Sequence, residues 1–222
     1  MSDRFTKTIT LPRGFTVTAH SGSMGLPDNS IEAMEAGVKA GAQIVEFDLQ
    51  YNDAGEPVLS HDAPAEKCVT LGDAFAFLAA HPDARANVDV KDTSHLECVE
   101  PMAREAGVLD RIFFTGLFEQ DIPVAREKCP SVPYFLNTNI PRFGNIRKLA
   151  AKVRSLGALG VNINKRFLSL RLTHIFHAEG LQVSVWTVDK KTEAQRALML
   201  RPDNITTRNP DMVWSLLEKE EV

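Results

Sequence analysis

Short apolar runs recur along this chain, and a longer amphipathic stretch separates most of them from the next. The runs are "FTVTAH" (15–20), "QIVEFDLQ" (43–50), "ANVDVK" (86–91), "RIFFT" (111–115), "VPYFL" (132–136), "ALGVNIN" (158–164), "LQVSVWTV" (181–188) and "NITT" (204–207). They are rich in Val, Ile, Phe and Thr and are short, as strands are. The intervening stretches "NSIEAMEAGVKAG", "LGDAFAFLAAH", "DIPVAREKC", "IRKLAAKVRSLG", "LSLRLTHIFHAEG" and "KTEAQRALML" read as helices, and "DMVWSLLEKEE" as a closing one. In the first, Ile31, Met34 and Val38 fall at helical spacing, Asn29 is the expected cap with Glu32 completing a capping box, and Gly41 supplies the stop. Strands alternating with helices predict a parallel α/β sheet. Eight such units in 222 residues, about 28 residues each, predict a (β/α)8 TIM barrel. It is expected as a single compact domain over 1–222, with a short hairpin after strand 2. The competing doubly wound sheet wants a full glycine fingerprint after its first strand. "HSGSMGLP" lacks that pattern and runs into Pro27.

The most unusual of these runs is the second. In "IVEFDLQ", Val45, Phe47 and Leu49 share one face of the strand and Glu46 and Asp48 the other, because side chains alternate. In a barrel the apolar face meets the helices, so the two carboxylates look inward. Two like charges buried together are costly unless a cation joins them. Oxygen donors on a rigid strand suit Mg²⁺ or Ca²⁺. An exposed edge strand with solvated acids fits the same alternation. "NDAGEP" favours the inward reading: it is a turn, after which "PVLSH" returns and brings His61 back beside the carboxylates. His20 ends the first strand, which a barrel places beside the second. A histidine pair titrating near neutrality can divide the work of acid and base. In "NVDVK", Asp89 and Lys91 again share a face; Asp89 is a candidate third metal ligand and Lys91 a contact for an anionic group. Together the set describes metal-assisted phosphoryl transfer.

With 44% hydrophobic and 24% charged residues, the chain has the composition of an ordinary globular protein. A net charge of −4 argues against polyanionic partners, so neither nucleic acid nor an anionic membrane is expected. No apolar run is long enough for membrane insertion. Cys68, Cys98 and Cys129 are too few and too scattered for a disulfide framework or a zinc motif. "MSDRFTKTITLPRG" has no apolar core of a secretory signal, and a cytoplasmic location is expected.

The motifs "AHSG", "PDNS", "EFD" and "SHD", in that order and spacing, resemble those of the glycerophosphodiester phosphodiesterases, a family of (β/α)8 barrels. "NVDVK", "VSVWTVD" and "ITTRNPDMV" resemble the family's later strands. The resemblance implies a phosphoric diester hydrolase acting on glycerophosphodiesters or similar small alcohol phosphodiesters. It makes His20 and His61 the acid/base pair and Glu46, Asp48 and Asp89 the metal ligands. Lys91 becomes a phosphate contact and Trp186 a wall of the substrate pocket. In such enzymes a hydroxyl of the substrate's own alcohol can attack first, giving a cyclic phosphate. The chain departs from the pattern at Ser21, a substrate-contact position where the family carries an arginine that helps neutralise the phosphate. Lys91, Lys165 and Arg208 are the candidates to replace it. Asp28 and Asp89 each stand where glutamate is usual. An aspartate at position 89 resembles the cyclising phospholipase D relatives, so a lyase that stops at the cyclic phosphate is an alternative, as is a barrel that binds phosphodiesters without turnover. The short span from Asp62 to Asp89 implies that the family's small insertion there is reduced or absent. His174 and His177, three apart on a helix, are expected to face solvent; His81 and His95 look like loop or cap residues, and Trp214 an anchor for the last helix.

Overall fold

A computed structural model describes residues 11–139 and 144–217. The opening stretch up to residue 10 and the end of the expected terminal helix lie outside the described residues. The elements run β1 (Thr16–Ala19), α1 (Ile31–Lys39), β2 (Ile44–Tyr51), β3 (Pro57–Leu59), α2 (Leu71–Ala80), β4 (Arg85–Val90), α3 (Val99–Glu105), β5 (Ile112–Thr115) and α4 (Ile122–Lys128). They continue with β6 (Leu136–Asn137), α5 (Ile146–Leu156), β7 (Gly160–Asn164), α6 (Leu170–Ala178), β8 (Gln182–Trp186), α7 (Lys191–Met199), β9 (Asn204–Thr207) and α8 (Pro210–Leu217). The sheet order is β5-β4-β2-β1-β9-β8-β7-β6, all parallel, with β3 added antiparallel to β2. A bridge between Phe114 and Tyr134 brings the two ends of that order together. This is the expected (β/α)8 barrel, with β3 as the expected hairpin.

Two apolar regions divide the work. The larger lies between sheet and helices and takes the outward face of each strand: Val17, Val45, Phe47, Val88, Phe114, Val161, Val185 and Ile205 are all fully buried there. Each such side chain contributes roughly 1.5–3 kcal/mol of burial free energy. The smaller, Ile44 with Phe113 and Phe135, plugs the barrel near the strands' N-terminal ends. Above it the interior is polar. Asn204 accepts from the hydroxyls of Thr16 and Thr18 and donates to Ser184, Thr115 donates to Asn87, and Asn162 donates to Asn137. Parallel strands buried on both sides usually carry continuous apolar runs. Here the alternation of Thr, Asn and acids with Val, Ile and Phe is instead a mark of a barrel with a polar lumen.

Several local expectations are corrected. The cap of α1 is Ser30, whose Oγ accepts the Ala33 N–H. Asn29 is one residue too early, and sits at φ +58° with its amide turned to Asp48. The capping box belongs to α2, where Thr70 and Asp73 each bond the other's backbone N–H. The strand expected at 132–136 shrinks to Leu136–Asn137, since Pro133 cannot donate to a ladder. Between β4 and β5 lies α3, which was not foreseen. His177 reaches Asp203 at 2.9 Å instead of facing only solvent. His81 does cap its helix, bonding the Phe77 carbonyl, and Trp214 anchors α8 by donating to the Gly41 carbonyl at 2.9 Å.

Candidate active site

The carboxylates sit where alternation places them. Glu46 and Asp48 point into the barrel from β2, 6% and 2% exposed, and Asp48 lies level with Asp89 of the neighbouring β4. One oxygen from each of Glu46, Asp48 and Asp89 comes within 4.8 Å of the others. Burial pushes the Glu46 carboxyl well above the ordinary carboxylate range, and the charges of Asp48 and Asp89 push it the same way. The Ser21 backbone N–H, donating to Glu46 at 2.8 Å, works in the opposite direction. Three hard oxygen donors with that mutual repulsion fit a divalent cation of the Mg²⁺ or Ca²⁺ type.

Each acid is held by a different element. Asn29 and Asp48 bond reciprocally: the Asn29 amide donates to Asp48 Oδ2, and the Asp48 N–H donates to Asn29 Oδ1, both at 2.9 Å. The left-handed backbone at Asn29, which asparagine tolerates, makes this possible. Asp89 accepts from Thr115 of β5 at 2.6 Å. Gly116 follows at φ +79°, and a Cβ there would lie 2.3 Å from the Val90 carbonyl oxygen and 3.0 Å from Asp89 Oδ1, so the β5–α4 turn approaches the acid through a glycine. Lys91 bonds Asp48 at 2.9 Å and Asp89 at 2.5 Å. Burial opposes its charge, but Asp89 and Asp48 outweigh that and raise its pKa.

A cavity of about 670 Å³ opens at this C-terminal end of the strands, where barrels of this kind carry their sites. His20 and His61 both line it, together with Trp186 at the end of β8 and Thr187 of the β8–α7 connection. His20 Nδ1 lies 2.8 Å from the Ser21 carbonyl and 3.7 Å from Glu46. A carbonyl only accepts, so Nδ1 carries the proton and, in the neutral ring, Nε2 keeps its lone pair. His61 comes back on the β2–β3 hairpin, whose far end is fixed by the Ser60 N–H donating to the Asp48 carbonyl at 3.0 Å. Its Nδ1 meets Asp62 at 3.0 Å, both side chains being largely exposed.

Two sequence-based assignments sit elsewhere than the cavity wall. Ser21 is buried against the acids, its Oγ 3.2 Å from His20 Nδ1 and 3.4 Å from Asp48. Lys165 is paired with Glu193 at 2.6 Å in a separate cleft. Sequence reasoning missed Asn29 as a holder of Asp48, Thr115 as a holder of Asp89, and Asn162 in the cavity floor. Asn162 Oδ1 and the indole N–H of Trp186 are buried without hydrogen-bond partners among the described residues. Only the polar alternation of strands β6 and β7 hinted at that floor.

Fold and site define a (β/α)8 barrel with an acidic, histidine-flanked cavity at the strands' C-terminal rim. Residues 20–94, which hold His20, Glu46, Asp48, His61, Asp89 and Lys91, match the glycerophosphoryl diester phosphodiesterase family. Along 98% of its length the chain is 25% identical to the "Probable glycerophosphodiester phosphodiesterase 2" of Mycobacterium tuberculosis, covering 97% of that protein. The fold is shared with a glycerophosphodiester phosphodiesterase from Parabacteroides distasonis (TM-score 0.78, 17% identity, 94% of this chain and 99% of that one). It is shared also with an Oleispira antarctica phosphodiesterase in complex with the product sn-glycerol-3-phosphate (TM-score 0.76, 18% identity, 94% and 97%). The chain is thus similar to the glycerophosphodiester phosphodiesterases in sequence over residues 20–94 and in fold along nearly its whole length. Among the described residues no helix is long and apolar enough to cross a membrane.

Proposed function

We propose that the chain, as one barrel domain over residues 1–222, hydrolyses glycerophosphodiesters or similar small alcohol phosphodiesters to an alcohol and a phosphomonoester. The observation that carries this reading is the convergence of three carboxylate oxygens within 4.8 Å of one another, in a cavity that two histidines also line. Glu46, Asp48 and Asp89 would hold a divalent cation, which supplies charge stabilisation to phosphate oxygens when bound. His20, with its Nδ1–H on a carbonyl, accepts the nucleophile's proton at Nε2 as phosphorus–oxygen bond formation begins. His61, whose Nδ1 lies 3.0 Å from Asp62, gives its proton to the departing alkoxide as the other phosphorus–oxygen bond breaks. Trp186 forms one wall for the alcohol portion.

The test is phosphorus NMR of glycerophosphocholine and related diesters with Mg²⁺ or Ca²⁺, and then with chelator. A linear monoester is expected, lost on chelation, with rates lowered about 10²–10⁴-fold in His20→Ala and His61→Ala. A cyclic phosphate that persists would instead favour the lyase, to which Asp89 in place of glutamate lends itself. No turnover of any diester, or a His20→Ala variant as active as wild type, overturns the reading.

A further inference from the structure

We propose that Arg208, held by Asp189, takes over the phosphate contact that Ser21 cannot make; this rests on the phosphodiesterase reading above. Of the lysines and arginines among the described residues, Lys91 and Arg208 line the cavity. Lys91 is bonded to two carboxylates of the acidic cluster, so its charge serves Asp48 and Asp89. Arg208 is differently placed. It follows β9, and β9 pairs with β1 so that Ala19 is level with Thr207. The next residues are therefore neighbours across the rim: the His20 N–H donates to the Thr207 carbonyl, and the Met24 N–H to the Arg208 carbonyl, both at 2.9 Å. A cation missing from the loop after β1 is thus supplied from the adjoining strand end, beside the same histidine. Phosphate sites in barrels of this class are frequently built from the loops after the last strands, which is where Arg208 lies.

The side chain is positioned without being used up. Asp189, at the end of the β8–α7 connection, accepts the Arg208 backbone N–H at 2.8 Å and one guanidinium N–H at 3.2 Å. Asp28 is 3.9 Å from the other terminal nitrogen, too far for a hydrogen bond. A guanidinium carries five N–H donors in a planar fork, and most of these remain for a bidentate anion. With 39% of the side chain exposed, the fork is open to a ligand entering from solvent. Asp189 is a positioning residue in this arrangement.

Calorimetric titration with sn-glycerol 3-phosphate and with inorganic phosphate, in the presence of Mg²⁺, reads the contact without needing turnover. Arg208→Gln should weaken both anions at least tenfold. Arg208→Lys should weaken them severalfold, since lysine offers a point charge and no fork. Arg171→Gln, an exposed arginine on α6, should change neither. In kinetics the Arg208 loss should appear in KM at least as strongly as in kcat. Wild-type affinity in Arg208→Gln and Arg208→Lys, or no binding of either anion by the wild type, overturns the proposal. If the wild type turns over no diester but binds these anions through Arg208, the hydrolase reading fails and this one stands.

Discussion

Asp48 is nearly inaccessible, yet Asn29 and Lys91 hydrogen-bond or ion-pair with it, and the Ser21 hydroxyl lies close by. Removing one partner of a buried carboxylate leaves a charge without compensation, a far larger loss than the bond itself is worth. Cys98 and Cys129 are the opposite case, side chains whose surroundings suppress chemistry. Burial pushes the Cys129 thiol up to about 11 and raises Cys98 as well, so both are almost wholly protonated at neutral pH. Cys68 lies in the loop before α2, outside the surroundings that raise Cys98 and the buried Cys129. Since the thiolate is the reactive species, iodoacetamide at pH 7.5 should alkylate Cys68 well before Cys98 and leave Cys129 unlabelled in the folded protein. Peptide mass spectrometry over a time course checks the order, and early modification of Cys129 would contradict it.

Among the elements, α2 shows how local chemistry fixes an end. Thr70 and Asp73 form the reciprocal box, and their hydrogen bonds hold the Asp73 carboxyl below its ordinary range. A folded-state pKa below the unfolded value contributes stability that is fully present above the unfolded pKa, roughly 4. It is lost as pH falls through the folded value. Thr70→Ala should therefore cost about 1 kcal/mol at pH 7, and the gap to wild type should narrow below about pH 4 as Asp73 protonates. Urea denaturation at both pH values measures this; a gap that widens on acidification would rule it out. The β2–β3 hairpin is the element that matters most to the site. Its register, Leu49 against Leu59, sets how far beyond Asp48 the chain returns, and so delivers His61 to the cavity.

The barrel as a whole is not equally strong around its circumference. β2 and β4 pair over six residues, whereas β5 meets the segment leading into β6 through a single bridge, Phe114 to Tyr134, with Phe114 and Phe135 among the few hydrogen-bonding residues of that seam. Pro133 and the two-residue length of β6 are the cause. Local opening is cheapest where few ladder bonds must break. In hydrogen exchange the amides of Phe114, Phe135 and Asn137 should exchange faster than those of Phe47 and Val88, by one or more orders of magnitude. Equal protection around the ring would show that the seam is not the weak point.

The strand–helix alternation was legible in the sequence, and with it the barrel and the inward aim of Glu46, Asp48 and Asp89. These follow from period-2 alternation and apolar patterning, which are local properties. The hairpin carrying His61 was legible for the same reason, since turn residues and two apolar runs state it directly. What the sequence could not settle depends on contacts between residues far apart in the chain. Asn29 reads locally as a helix cap, and only its pairing with Asp48, 19 positions on, shows it as a holder of that acid. Lys91, Lys165 and Arg208 looked equivalent as cations after strands. Tertiary structure separated them, committing Lys91 to two acids and Lys165 to Glu193 while the β1–β9 register set Arg208 beside His20. Charge and spacing alone determine which groups the rim can carry; which of them remains available for a ligand is decided by the partners that folding brings within hydrogen-bond reach.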